Sequence, residues 1–224
     1  MKARDYFTVI PVYNEQKHIK KLLKKVHIHT KNIIVVNDGS QDKTADILKT
    51  ISYIKVINLP KNQGKGAAMK KGAELAWKNK AKGIIFLDGD NQHNPSFLPH
   101  FIKHLENGHD VVIGIRILKT KVPFYRKMGN FLLMATVRIL FNISIPDLLC
   151  GYRGMSKKGY KQITWSSTDY GVETEMISLL GKNKIKYTTI VVDTIYLDKY
   201  KGFSVKDGLK IFIKLPFWKL GKTI

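Results

Sequence analysis

The chain has 224 residues, 44% of them hydrophobic and 25% charged, enough to bury a core and outside the range of disordered, collagenous and low-complexity chains. Its single cysteine, Cys150, excludes a disulfide framework and a cysteine-rich zinc site. Lys and Arg number 39 against 17 Asp and Glu, a formal charge of +22. That surplus argues for a polyanionic partner without choosing among nucleic acid, anionic lipid and a phosphorylated substrate.

Phe7–Val12 (FTVIPV) reads as a strand, and Lys17–His27 follows as a basic amphipathic helix. Ile33–Asn37 is a nearly continuous apolar strand, as expected where both sheet faces are covered. Asp42 or Ser40 can cap a helix running to about Ile51, with a strand at Tyr53–Leu59. A Gly-rich turn opens a helix over Gly66–Asn79, and the strand Lys82–Leu87 stops at Asp88. Asn94–Asn107 is a helix with Pro95 in its first turn, and Val111–Ile115 is the next strand. This rhythm predicts an α/β domain, Rossmann-like, with a mostly parallel central sheet. Beyond Arg116 the pattern shifts: Pro123–Phe141 is one long helix, DLLCGYRG (147–154) is turn-like, Tyr170–Lys182 is helical and Tyr187–Ile195 is a strand. From Asp207 the tail is apolar and lysine-rich, and Pro216 argues against a single continuous helix there. No stretch reaches the roughly 20 apolar residues of a membrane span, and none reads as a signal peptide.

Four polar clusters fall at predicted strand ends: Pro11–Glu15, Asn37–Ser40, Asp88–Gln92 and Gly114–Arg116. Ligands of open parallel sheets bind where such loops converge, so the four are expected to form one site. In Asp88-Gly89-Asp90, two carboxylates past a buried strand can share a hard cation, Mg²⁺ or Mn²⁺; alone, the same pattern also suits a solvated turn. Asp38 can accept hydrogen bonds from a base or ribose, or cap a helix. Glu15 is a ligand contact or a first-turn acid favoured by the helix dipole. Gln63-Gly64-Lys65-Gly66 lacks the spacing of a phosphate loop, leaving a substrate-approach loop and a plain Gly-rich turn both open. The seven histidines form no recognisable zinc set, and Cys150 lacks an activating neighbour.

Taken together, VIPVYNE (9–15), VVNDGSQDKT (35–44), the GKG turn, LDGDNQHNP (87–95), GIR (114–116), RKMGN (126–130), DLLCGYRG (147–154) and GVETEM (171–176) resemble the family 2 glycosyltransferases of GT-A fold. The similarity is to the polyprenyl-phosphate branch, which includes dolichyl-phosphate mannosyl- and glucosyltransferases. It spans about 7–200 and implies a catalytic domain over 1–200, with a nucleotide half to about 116, an acceptor half from 117, and a basic amphipathic tail over 201–224. It implies a GDP- or UDP-linked sugar donor held by Pro11, Tyr13, Glu15, Asp38, Lys65 and Asp88. It implies Mg²⁺ or Mn²⁺ at Asp88, Asp90 and Gln92, and acceptor-phosphate contacts from Arg116, Arg126 and Arg153. The resemblance implies catalytic roles for Asp90, Arg116 and Arg126, and it makes Glu173 and Glu175 acceptor-side acids, with a solvated helix face as the other reading. One departure is Val205, which stands where some relatives have a lysine after Gly202 and Ser204.

The implied reaction is inverting transfer of a hexose to a polyprenyl phosphate. A phosphate monoester has a second pKa of about 6, so this nucleophile is ionised without a general base and needs positioning and charge neutralisation. A hydroxyl acceptor on a glycan or lipid is the alternative and would require a base. A nucleotide-sugar-binding pseudoenzyme is weighed against by the intact Asp88 and Asp90. No nucleic acid is expected, because the charge forms no contiguous basic stripe in a known nucleic-acid-binding fold. The long helix and the tail mix basic with aromatic and aliphatic residues, which suits a peripheral position at the cytoplasmic face of a membrane, packing on the core, or an anchoring partner subunit.

Overall fold

The computed structural model describes residues 5–116, 124–193 and 205–221, with side chains from 128 in the fifth helix and from 207 in the last. In chain order the elements are β1 (Tyr6–Val12), α1 (Ile19–His29), β2 (Ile33–Asn37), α2 (Thr44–Lys49), β3 (Lys55–Asn58), α3 (Lys65–Lys78), β4 (Gly83–Phe86), α4 (Leu98–Glu106), β5 (Val111–Arg116), α5 (Phe124–Phe141), β6 (Arg153–Ser156), α6 (Lys157–Gln162), α7 (Val172–Lys182), β7 (Tyr187–Val192) and α8 (Val205–Leu220). A short 3₁₀ turn, Pro95–Phe97, leads into α4.

The strands form one seven-stranded sheet in the order β3-β2-β1-β4-β6-β5-β7. Every pairing is parallel except those of β6, which runs antiparallel to β4 and β5 between them. Alternate strand residues face opposite layers, as the period of two demands. Val9, Ile34, Val36, Ile84 and Phe86 pack with α3, α5, α7 and α8. Ile10, Ile33, Val35, Ile85 and Leu87 pack with α1, α2 and α4. The continuous apolar runs of β1, β2 and β4 are therefore the mark of strands covered on both faces.

Three expectations are corrected, and one helix is added. DLLCGYRG contains the start of β6, whose RGMS composition carries no β-branched residue and so gave no strand signal. Helix α6 follows it, capped by Ser156 Oγ accepting from the Gly159 N–H at 3.0 Å. The strand expected over Tyr53–Leu59 is a four-residue edge strand with an exposed residue at each end. Helix α8 runs through Pro216 without a break. Proline forfeits one backbone hydrogen bond there, but Ile211, Leu215 and Trp218 bury one face of α8 against α5 and α7, and that packing holds the helix.

A cross-chain bolt fixes the entry to α3. Trp165 is buried against Phe86 and Tyr160, and its Nε1–H donates to the Gly66 carbonyl at 3.1 Å. Trp165→Ala is expected to cost about 3–5 kcal/mol of stability, and Trp165→Phe about 1–2, for lost packing and a lost hydrogen bond. Urea unfolding followed by circular dichroism measures both.

Candidate active site

The four polar clusters follow β1, β2, β4 and β5 at one end of the sheet, and side chains lace them together. Asn14, in the left-handed region at φ 54°, accepts from Gln41 N–H at 2.8 Å while its own N–H donates to Ser40 Oγ at 2.9 Å. Glu15 is buried in the turn ahead of α1, outside the helix's first turn, its N–H donating to Thr44 Oγ1 at 2.9 Å. Asp38 accepts from Gln63 N–H at 2.7 Å and Gly64 N–H at 2.8 Å, pinning the loop before α3 to the end of β2. Gly64 must be glycine: its φ is +93°, and a Cβ would lie 2.3 Å from the Thr168 carbonyl oxygen. The Gly66 N–H donates to that same oxygen at 2.7 Å. The Gly-rich turn thus serves close backbone approach to the 166–169 loop.

Lys65 is the first residue of α3, and its ammonium lies 2.5 Å from both Asp88 Oδ1 and Glu173 Oε1. Burial works against the charge on Lys65, but Asp88 and then Glu173 outweigh it and hold the ammonium protonated. Burial alone would raise the Asp88 carboxyl. Lys65 and His93, whose Nε2 lies 3.7 Å away, reverse that and keep it well below the usual carboxylate range. Asp90 has no such cation: burial and then the Asp88 charge raise its carboxyl, and only the Gln92 N–H, 3.0 Å from Oδ1, works strongly the other way. Gly151 packs so tightly on Asp88 that a Cβ there would meet the carboxylate at 2.3 Å.

On the other side of Asp88, Arg116 is clamped by Asp147, Nε to Oδ2 at 2.6 Å and NH2 to Oδ1 at 2.8 Å. Burial raises the Asp147 carboxyl, but this bidentate pair outweighs it and leaves the group below its ordinary value. The Asp88 charge also acts on Arg116, so the two lie within electrostatic reach of each other. Glu175, buried on α7, accepts from Ser166 N–H and Ser167 N–H, each at 2.7 Å, and from Ser166 Oγ–H at 2.8 Å.

Most of the expected site residues are therefore brought together, with different tasks for some. Arg153 is 1% exposed and donates to the carbonyls of Cys150, Glu173 and Leu148, so it bolts the 147–153 loop to α7 and presents no face to a phosphate. Glu173 and Glu175 are buried and partnered, not a solvated face. Pro11 is buried within β1, in register with Val36, and Tyr13 is the first open side chain after it. The backbone of Arg126 is in α5, but its side chain lies outside the described residues, as do residues 199–204. Sequence reading missed Asp147, hidden in a segment taken for a turn, and Tyr170, which is half exposed and within electrostatic reach of Lys65, Asp88 and Glu173. Cys150 is fully buried, and burial pushes its thiol up to about 12, so it is an inert packing residue.

A family model for glycosyl transferase family 2 matches residues 8–164. The chain is a family 2 glycosyltransferase. A UDP-N-acetylglucosamine–dolichyl-phosphate N-acetylglucosaminyltransferase of Methanococcus voltae is 30% identical, covering 97% of this chain and 97% of that one. A dolichol-phosphate mannosyltransferase of Pyrococcus furiosus is 26% identical over 94% of this chain and 63% of its own length. Among solved structures, glucosyl-3-phosphoglycerate synthase from Mycobacterium tuberculosis, in complex with Mn²⁺, UDP-glucose and phosphoglyceric acid, matches with a TM-score of 0.71. At 20% identity, over 100% of this chain and 82% of that one, it shows a shared glycosyltransferase fold.

Among the described residues of this glycosyltransferase, no three His, Cys, Asp or Glu side chains form a metal-binding group. The acidic pair still suits a hard cation of the Mg²⁺ or Mn²⁺ class. Asp88 and Asp90 are close enough for one to raise the other, and such ions are content with one or two carboxylates plus water and phosphate oxygens.

Removing the shared ammonium should weaken the acid response. In the native chain the Asp88 carboxyl lies below its unfolded value, so its contribution to stability is full above about pH 4 and is lost as pH falls further. In Lys65→Met, burial is left to raise the Asp88 carboxyl against His93 alone, so the variant should lose about 3–5 kcal/mol at pH 7 and less at pH 5. Thermal melts across that range check the sign; a uniform loss at both pH values would show that Lys65 acts through packing alone.

Proposed function

We propose that this family 2 glycosyltransferase moves a sugar from a nucleoside-diphosphate donor to a polyprenyl phosphate, with inversion at the anomeric carbon. The observation that carries the reading is the state of the buried carboxylates. Asp147 is held by Arg116, Glu173 by Lys65, Glu175 by two serine N–H groups and Asp38 by the loop before α3. A hydroxyl acceptor needs a free base beside it, whereas a lipid phosphate arrives ionised and needs cations. The names of the Methanococcus and Pyrococcus relatives point to the same acceptor class.

In this mechanism the segment to about 116 takes the donor and the segment beyond it the acceptor. Tyr13 offers a ring to the base, and Asp38 holds the loop beneath it. Asp88, Asp90 and Gln92 would hold Mg²⁺ or Mn²⁺, which neutralises charge on a departing nucleoside diphosphate. Lys65 and Arg116 supply fixed positive charge, already aligned by Glu173 and Asp147, so they reorganise little as charge shifts. An acceptor phosphate oxygen forms the new bond to the anomeric carbon as the bond to the donor's diphosphate breaks, and no proton need be removed. A lipid acceptor puts the reaction at a membrane surface.

The test incubates the protein with Mn²⁺, a short-chain polyprenyl phosphate and, separately, radiolabelled UDP-N-acetylglucosamine, GDP-mannose or UDP-glucose. Label should enter the organic phase with one donor and fall at least about a hundredfold in Asp90→Ala. Donor binding without lipid label for any of the three would overturn the lipid-phosphate reading and favour a hydroxyl acceptor.

A further inference from the structure

Helices α5 and α8 pack on each other, and both are amphipathic twice over. Inward they bury Leu133, Val137 and Phe141 from α5 and Ile211, Leu215 and Trp218 from α8. Outward, Leu209, Ile213, Phe217 and Leu220 recur at spacings of four, four and three, so they share one exposed line along α8. On α5, Leu132 and Ile139 stand seven apart on a common face, with Phe131 beside them, and Ile139 is 81% exposed. An isolated exposed leucine means little, but two packed helices that each expose a row of large apolar residues mean a surface built to be covered.

The charges at that surface choose what covers it. Lys210, Lys219 and Arg138 are exposed on the same two helices, and the Lys219 ammonium lies 5.8 Å from the Phe141 ring across the α5–α8 seam. Helix α5 carries no acid, and Asp207 in the first turn is the only one on α8. A second copy of the chain meeting this face by two-fold symmetry would set these cations against themselves. An anionic lipid bilayer offers the complement, acyl chains for the rows and head groups for the cations. Neither helix is long and apolar enough to cross that bilayer.

We infer that the outer α5–α8 face docks this enzyme on an anionic membrane, lying in the interface with its apolar rows below the head groups. The inference rests on the lipid-acceptor reading above and adds the surface that delivers it. The face also borders the site. Lys214 of α8 pairs with Asp169 at 2.9 Å, and Asp207 acts on Tyr170, which in turn feels Lys65 and Asp88. A docked α8 therefore brings the Asp169–Tyr170 segment, and with it the Lys65–Asp88 cluster, near the head groups, where a lipid-borne phosphate lies.

The experiment is co-sedimentation of the full chain with extruded vesicles of phosphatidylcholine, with or without about a third phosphatidylglycerol, and with no polyprenyl phosphate present. The protein should pellet with the anionic vesicles and be released by salt. Ile139→Ser/Ile213→Ser/Leu220→Ser, altering exposed positions on both helices, should bind at least about tenfold more weakly while keeping its melting temperature and its transfer to the short-chain acceptor. Lys210→Glu/Lys219→Glu should lose the preference for anionic vesicles. No pelleting of the native chain, or native-like pelleting of the triple variant, would overturn the proposal. So would a native dimer that the triple variant turns into a monomer, which would make the face a self-association surface. Vesicle binding retained in a protein that transfers no sugar to the short-chain acceptor would sink the functional reading and leave the docking face standing.

Discussion

One ammonium between two carboxylates organises the loop end of this molecule. Lys65 opens α3, Asp88 follows β4 and Glu173 sits in the first turn of α7, so a single buried cation ties together three segments far apart in sequence. Desolvating three charges is costly, and good geometry with further partners is what offsets it. The partners are present: His93 beside Asp88, the Arg153 guanidinium on the Glu173 carbonyl, and the positive end of α7 beneath Glu173. The arithmetic nevertheless leaves the cluster short of positive charge. One lysine meets two carboxylates, and Asp90 adds a third that only neighbouring N–H groups and more distant cations moderate. A site so arranged favours whatever brings positive charge near Asp90.

The antiparallel strand β6 is what lets the two halves of the chain share that site. By entering between β4 and β5 it carries the 147–153 loop back across the ends of the parallel strands, placing Gly151 on Asp88 and Asp147 on Arg116. Arg153 then locks the loop. Burial pushes its guanidinium down from the ordinary value, and three carbonyl acceptors keep it satisfied as a charged donor. A lysine has the charge but not the planar fork needed to reach three carbonyls at once.

The parts of this structure that sequence reveals are those written locally. The doubly covered strands Ile33–Asn37 and Lys82–Leu87 announce themselves as unbroken apolar runs, and the polar clusters that follow them mark the site. What stayed hidden depends on partners distant in sequence. RGMS is a strand only because β4 and β5 flank it, and Pro216 is tolerated only because α5 and α7 hold α8 from the side. The basic residues show the same limit from another angle. Arg116 and Arg153 look alike as cations near glycines, yet one is paired with the Asp147 carboxylate and the other is spent on backbone carbonyls. Burial, which a single sequence does not display, separates them.

The distribution of partners also bears on chemistry. A site prepared for deprotonating a hydroxyl keeps one carboxylate solvent-linked, raised and unshared. Here Asp90 is the raised carboxyl, but it stands beside Asp88 and belongs to the acidic pair, while Glu173 and Glu175 on α7 are committed to Lys65 and to the 166–167 backbone. Positive charge is treated the opposite way. Lys65 and Arg116 are held charged and oriented by their acid partners. Fixed cations suit the proposed reaction, whose two ends are both phosphates, one leaving and one attacking. On the proposed reading, specificity for the acceptor then falls to what surrounds that charge: the Tyr170 rim, and the helix α8 that Lys214 ties to it through Asp169.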